Sequence, residues 1–187
     1  MNVIIFGPPG AGKGTQANRI VEKFNLYQVS TGDLLRNEVK NQTDIGKDIE
    51  NIISKGDFAT DEIVNELIKD VIFNPQRKNK LIFDGYPRSL SQAKNLDLLL
   101  SSSNQKIDFI FFLNVKKDTI IKRIEKRKIL EKRADDNLAT ILKRYDTYME
   151  MTKPVLDFYN KKANFYEIDG DAKIDQISRK IEQILSV

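Results

Sequence analysis

Residues 7–15, Gly7-Pro8-Pro9-Gly10-Ala11-Gly12-Lys13-Gly14-Thr15, decide the fold. The apolar run Val3–Phe6 leads into them, and a helical pattern over Lys13–Phe24 leads out. A strand, a loop of the form G-x-x-x-x-G-K and a helix, in that order, are the context of a phosphate-binding loop. Glycines let successive backbone N–H groups turn inward onto phosphate oxygens. The helix N-terminus adds partial positive charge. Lys13 adds a mobile cation for the β and γ phosphates of a nucleotide. Gly14 follows the lysine, where many such loops place a metal-binding hydroxyl, and Thr15 comes one residue late. A magnesium ion would therefore lean on phosphates, water and carboxylates more than on this hydroxyl.

Working outward, short apolar runs alternate with helical patterns, the mark of βαβ units and a parallel sheet. Five runs read as strands: 3–6, 28–30, 81–84, 109–113 and 165–168. VIIF, LIF and FIFFL are unbroken, as strands covered on both faces should be. Helical stripes run through Ile45, Ile49, Ile52 and Ile53, through Ile63, Val64, Leu67, Ile68 and Val71, and over 90–100, 119–126, 136–159 and 173–185. Pro154 should kink or break the long 136–159 pattern. Two segments interrupt the alternation. Residues 31–59 read as helical throughout, and residues 127–135 as a short charged break; both look like insertions on the sheet. The expectation is a three-layer α/β/α fold in one domain of 187 residues, with a core of 1–29, 60–125 and 137–187. Residues 30–59 would be a helical insertion and 126–136 a short lid.

The chain has no cysteine and no histidine, which removes disulfides, thiol nucleophiles, imidazole bases and the usual zinc ligands. Catalysis must run on Lys, Arg, Asp, Glu, hydroxyls and backbone amides. The net charge is +4, but lysines are spread along the whole chain, which argues against nucleic acid as a partner. The first apolar run is too short for a signal sequence, and no stretch approaches the ~20 apolar residues that span a bilayer. A cytoplasmic protein with no membrane partner is expected.

Lysines outnumber arginines 22 to nine, yet Arg36, Arg88, Arg123, Arg127, Arg133 and Arg144 all sit in or beside the motifs. A chain that otherwise prefers lysine keeps arginine where a planar fork can grip phosphate oxygens. Arg123 and Arg127, four apart on a predicted helix, share a face. Arg133 and Arg144, eleven apart, would sit close together on a helix starting near Asp135. Asp84 ends an apolar strand, and a carboxylate at the carboxyl end of a parallel strand points into the ligand crevice.

Four motifs in register carry a resemblance: the loop at 7–15, Ser30-Thr31-Gly32-Asp33-Leu34-Leu35-Arg36, Asp84-Gly85-Tyr86-Pro87-Arg88, and Arg133-Ala134-Asp135-Asp136-Asn137. Together they resemble the nucleoside monophosphate kinases across essentially the whole chain. The Ser-Thr-Gly-Asp run and Gln92 are similar to the adenylate kinases among them. The resemblance implies reversible transfer of a phosphoryl group from Mg·ATP to AMP, giving two ADP, with adenine nucleotide balance and salvage as the role. UMP/CMP kinases of the same family are the alternative; they usually carry Ala at Thr31 and Asn at Gln92.

The resemblance also implies the site. Gly10, Ala11, Gly12, Lys13, Gly14, Thr15, Arg123, Arg127 and Ala172 would hold ATP, with Arg123 against the adenine. Thr31, Arg36, Asp57, Phe58, Ala59, Gly85, Tyr86, Pro87, Arg88, Gln92, Arg133 and Arg144 would hold AMP. Gln92 can offer a donor and an acceptor to the base edge. Lys13, Arg88, Arg127, Arg133 and Arg144 would be catalytic, and Asp84 would reach Mg²⁺ through water. Asp135 and Asp136 would cap a helix and orient the lid arginines. No zinc and a monomer are expected; the lid should hinge at its ends, because residues 128–132 contain no glycine.

Overall fold

The structure is a computed structural model. It describes residues 1–55, 57, 59–131, 138–161 and 164–186, with the backbone alone at 53, 54, 127–131 and 138. The apolar runs form five parallel strands: β1 (Val3–Phe6), β2 (Tyr27–Ser30), β3 (Leu81–Asp84), β4 (Phe109–Asn114) and β5 (Asn164–Asp169). Their order is β2-β3-β1-β4-β5. After β3 the chain crosses to the far side of β1, so the phosphate-binding loop lies at the topological switch point of the sheet, where open α/β sheets bind ligands.

Both faces of the sheet are covered, and the strand residues alternate between them. Ile4, Phe6, Val29, Leu81, Phe83 and Ile110 face one apolar layer. It is completed by α3 (Asp44–Ser54), α4 (Asp61–Ile72), α5 (Leu90–Ser102) and α8 (Lys153–Asn160) through Ile49, Ile68, Leu96 and Tyr159. Val3, Ile5, Ile82, Phe111, Leu113 and Ile168 face the other layer. That side holds α1 (Lys13–Phe24), α6 (Lys117–Glu131), α7 (Leu138–Thr147) and α9 (Ile174–Leu185). Each fully buried Ile or Phe contributes ~1.5–3 kcal/mol. Helix α1 is stitched to α9 by Arg19 on Asp175 at 2.7 Å and by Ser178 donating to Gln16 at 2.7 Å.

Two segments differ from the sequence reading, and a third breaks near Pro154 as expected. Residues 31–59 are not helical throughout. Helix α2 (Thr31–Lys40) stops at Asn41, Gln42 takes φ 52°, and Thr43 restarts the chain by accepting the Gly46 N–H at 3.0 Å. The break expected from residue 127 is absent over 127–131, where α6 continues to Glu131. Lys, Ile, Leu and Glu are serviceable helix formers, and no glycine or proline stops them. The long pattern after residue 136 breaks ahead of Pro154, at a π-helical turn over Tyr148–Thr152. Proline lacks the N–H that would bond one turn back, and Pro154 instead sits in the first turn of α8, where that donor is not needed. No described helix is long and apolar enough to cross a membrane.

Candidate active site

The site collects at the carboxyl ends of β1 and β3. Gly10 takes φ +80°, and a Cβ there would stand 2.8 Å from Ile124 of α6, so both backbone shape and packing require glycine. The Lys13 ammonium donates to the carbonyls of Gly7 at 2.8 Å and Pro8 at 3.1 Å, holding the cation over its own loop. Thr15 is exposed and Gly12 and Gly14 are half-buried. Arg123 braces the loop from α6. It donates to the carbonyl of Ala11 at 3.1 Å and, across the crevice, to that of Gly170 at 2.8 Å. Ala172 lies two residues beyond Gly170, half-buried against the same layer. The ATP residues proposed from sequence thus gather around one loop. The Arg127 side chain lies outside the described residues.

Strand register puts Asp84 opposite both Ile5 and Ser30. Its Oδ2 lies 3.6 Å from where a Cβ on Gly14 would stand, and accepts from Gln28 Nε2 at 3.2 Å. A hard carboxylate beside the phosphate loop suits a magnesium ion carried by phosphate oxygens. Gln28 was not singled out in the sequence; its place two residues before Ser30 on β2 puts it on the same strand face.

After Asp84, Gly85 takes φ +78°, and a Cβ there would meet Arg88 Nη2 at 2.9 Å. The Gly85 carbonyl accepts from Thr31 Oγ1 at 2.8 Å and Arg88 Nε at 2.7 Å. Burial of the Arg88 guanidinium lowers its pKa to about 10; Arg144 and Arg36 add to the drop and Asp84 opposes it. Arg144, Arg36 and Asp84 therefore all act on Arg88 at this corner. Arg36 also pairs with Asp33, whose N–H is capped by Ser30 Oγ at 3.3 Å. Thr152, from the π-helical turn, donates to the Arg88 carbonyl at 3.1 Å.

Gln92 is buried, and its amide is already engaged. Oε1 accepts from the Arg88 backbone N–H at 2.7 Å, and Nε2 donates to Asp61 Oδ1 at 2.7 Å. One N–H and one lone pair remain for a base. Tyr86 points into the core, its hydroxyl on Asn65 at 2.7 Å and its pKa raised to about 12 by burial; it offers a ligand backbone only. Pro87 follows through a cis peptide bond. Ala59 is buried in the core, and Asp57 pairs with Lys143 of α7 at 2.5 Å. Phe58, Arg133, Asp135 and Asp136 lie outside the described residues.

The site joins a phosphate loop with its lysine, a carboxylate beside it and a set of arginines facing that carboxylate. Such a constellation binds polyphosphate and a second anion together. It supplies positioned charge without a covalent nucleophile, which is what phosphoryl transfer requires of a protein.

Comparison with known proteins agrees. The family model described as adenylate kinase matches residues 5–164. The adenylate kinase of Pelagibacter ubique (strain HTCC1062) is 51% identical over 213 aligned positions, covering all of both chains. That of Caulobacter sp. (strain K31) is 40% identical over 187 positions, covering all of this chain and 99% of the relative. That of Archaeoglobus fulgidus is 36% identical over 212 positions, covering 99% of this chain and 98% of the relative. With the phosphate loop, the sheet order and these full-length likenesses pointing the same way, the chain belongs to the adenylate kinase family and is a phosphotransferase.

Proposed function

We propose that the chain transfers the terminal phosphoryl group of Mg·ATP to AMP, reversibly, giving two ADP, and so balances and salvages adenine nucleotides. The observation that carries this is the Arg88 corner. Arg88, Arg144 and Arg36 gather beside Asp84, next to a loop built for a nucleoside triphosphate. Arg144 and Arg36 are half-buried cations that disfavour the charge on Arg88, and an anion bound between them relieves that. The phosphate of a monophosphate acceptor meets that need.

In this reading the loop amides and Lys13 hold the β and γ phosphates, and Arg123 and Ala172 border the ATP base. Arg88, Arg36 and Arg144 hold the AMP phosphate in line with the γ-phosphorus. Arg127 and Arg133 close over the transferred group. The AMP phosphate is already an anion, so no general base is required. Magnesium, when bound with ATP beside Asp84, neutralises phosphate charge. Thr31, Gly85, the Pro87 backbone and Gln92 seat the AMP, bordered by Asp57, Phe58 and Ala59.

Residues 30–59 form the proposed acceptor lobe and 126–136 the proposed lid, mounted on the core 1–29, 60–125 and 137–187. Among the described residues the exposed large apolar side chains, such as Phe73, Leu98, Met149 and Ile174, come from different elements, and a monomer is part of this proposal. A cytoplasmic location belongs to the same proposal, since ATP and AMP are available there. The test is an initial-rate assay with Mg·ATP and each of AMP, UMP, CMP and GMP. AMP should be preferred by about 10²-fold or more in kcat/KM, the scale at which buried polar groups reject a mismatched base. A preference for UMP or CMP would instead establish the pyrimidine kinase reading.

A further inference from the structure

We propose that Asp61 fixes which way the Gln92 amide faces, and through it the choice of a 6-aminopurine over a 6-oxopurine monophosphate. The proposal rests on the reading above that Gln92 meets the acceptor base.

Asp61 opens α4, 31 residues before Gln92, and nothing in the local sequence marks it as part of a site. Both of its carboxylate oxygens are used as acceptors. Oδ1 takes Gln92 Nε2 at 2.7 Å, and Oδ2 takes the Ser89 hydroxyl at 3.0 Å. Ser89 in turn caps α5 by accepting the Gln92 N–H at 3.1 Å. On the other side of the amide, Gln92 Oε1 accepts the Arg88 N–H at 2.7 Å. The glutamine is buried, at 4% exposure, so water offers little substitute for these partners.

The two neighbours of the amide have opposite and fixed polarity. A carboxylate only accepts, and a backbone N–H only donates. Turning the amide over would set its oxygen against Asp61 and its NH₂ against the Arg88 N–H. Both hydrogen bonds would be lost, and two contacts between like poles would replace them. The orientation is therefore set by its hydrogen-bond partners.

What remains for a ligand is equally fixed: one N–H of Nε2 and one lone pair of Oε1. Adenine presents a 6-amino donor and a ring-nitrogen acceptor at N1, which match the remaining acceptor and donor. Hypoxanthine presents the reverse, a 6-oxo acceptor and an N1–H donor. A glutamine free to turn over would serve either base. One held by Asp61 serves adenine and leaves hypoxanthine with mismatched poles, the kind of mismatch that discriminates strongly in a buried site. Asp61 is in this sense a positioning residue that acts through Gln92.

The experiment measures kcat/KM for AMP and for IMP at saturating Mg·ATP, in the full-length chain and in Asp61→Asn. Asparagine has the shape of aspartate but can offer either pole to the amide, so it keeps the packing and gives up the enforcement. The AMP:IMP ratio should fall by about tenfold or more, the scale of one hydrogen bond to a charged partner. The KM for Mg·ATP should stay unchanged. In a Gln92→Leu background the same substitution should leave the ratio unchanged, because the effect runs through the amide. General loosening of the fold would weaken AMP and IMP together and leave their ratio intact. A selective parent with an equally selective Asp61→Asn would overturn the role of Asp61 alone. So would an equal fall in the Gln92→Leu background. A parent chain indifferent to AMP and IMP would overturn the reading of the acceptor base itself.

Discussion

Thr31 and Arg88 share one acceptor. The Gly85 carbonyl oxygen takes the Thr31 hydroxyl at 2.8 Å and Arg88 Nε at 2.7 Å. This ties the first turn of α2 to the loop leaving β3, and it spends both lone pairs of one oxygen on orienting the arginine fork. Thr31→Val keeps the shape and removes the donor. The kcat/KM for AMP should fall by about tenfold, the scale of one partly buried hydrogen bond. The KM for ATP should hold. Equal losses on both nucleotides would contradict an assignment of Thr31 to the acceptor side.

Lys13 rests on carbonyls of its own loop at 2.8 and 3.1 Å. Its proposed task, neutralising charge that develops on the transferred phosphoryl group, exists only with substrate bound. Lys13→Met should lower kcat by ~10² or more, the scale for removing one preorganised charge contact. The melting temperature should change little, since the residue is only half-buried. Unchanged turnover would remove Lys13 from the mechanism.

Arg88 trades stability for binding. Burial, with Arg144 and Arg36 adding to it, holds its pKa at about 10, against 12.5 for the ordinary side chain. Folding thus disfavours its charged form. The native state binds fewer protons than the unfolded chain as pH rises through about 10 towards 12.5, and stability from this group rises over that window. At neutral pH the unliganded protein carries the cost of holding this half-buried charge beside two other arginines. Arg88→Met should therefore raise the melting temperature of the unliganded protein. It should also abolish the extra protection that AMP gives the parent, and lower kcat by ~10² or more. A clear fall in the unliganded melting temperature would contradict the account of this corner.

The Lys143–Asp57 pair, at 2.5 Å, joins α7 to the loop after α3. Each side chain is nearly half exposed, so water and salt screen the pair. Lys143→Gln should cost less than ~1 kcal/mol in stability. That difference should vanish near ~1 M salt, where charges a few ångströms apart are screened. A salt-independent loss of several kcal/mol, measured by denaturant unfolding, would show that Lys143 does more than pair.

What could be read from the sequence was local. The loop at 7–15 announces itself because strand, glycines, lysine and helix are contiguous. The central strands are unbroken apolar runs because both sheet faces are covered. Edge strand β2 was the shortest reading, since Tyr27 is exposed and only Val29 is buried. The course of α6 through Glu131 was not legible, because a charged run was read as a break although its residues favour helix. The π-helical turn at Tyr148–Thr152 leaves no periodic trace beyond Pro154 after it. Asp61 and Gln28 were missed for another reason. Their roles lie in contacts with residues 31 and 56 positions away, and no spacing rule reaches that far.

In the proposed reaction one crevice seats two adenine nucleotides, with their phosphates between Lys13 and the Arg88 corner. The most direct measurement is a crystal structure with two adenosines joined by five phosphates, compared with the unliganded crystal form. One adenine should sit against Gln92 and the other beside Arg123 and Ala172, with phosphate oxygens within hydrogen-bond distance of both Lys13 and Arg88. Residues 30–59 and 126–136 should move in over the chain of phosphates, which excludes water from the transfer. A bound analogue that leaves either Lys13 or Arg88 without a phosphate contact would contradict the account.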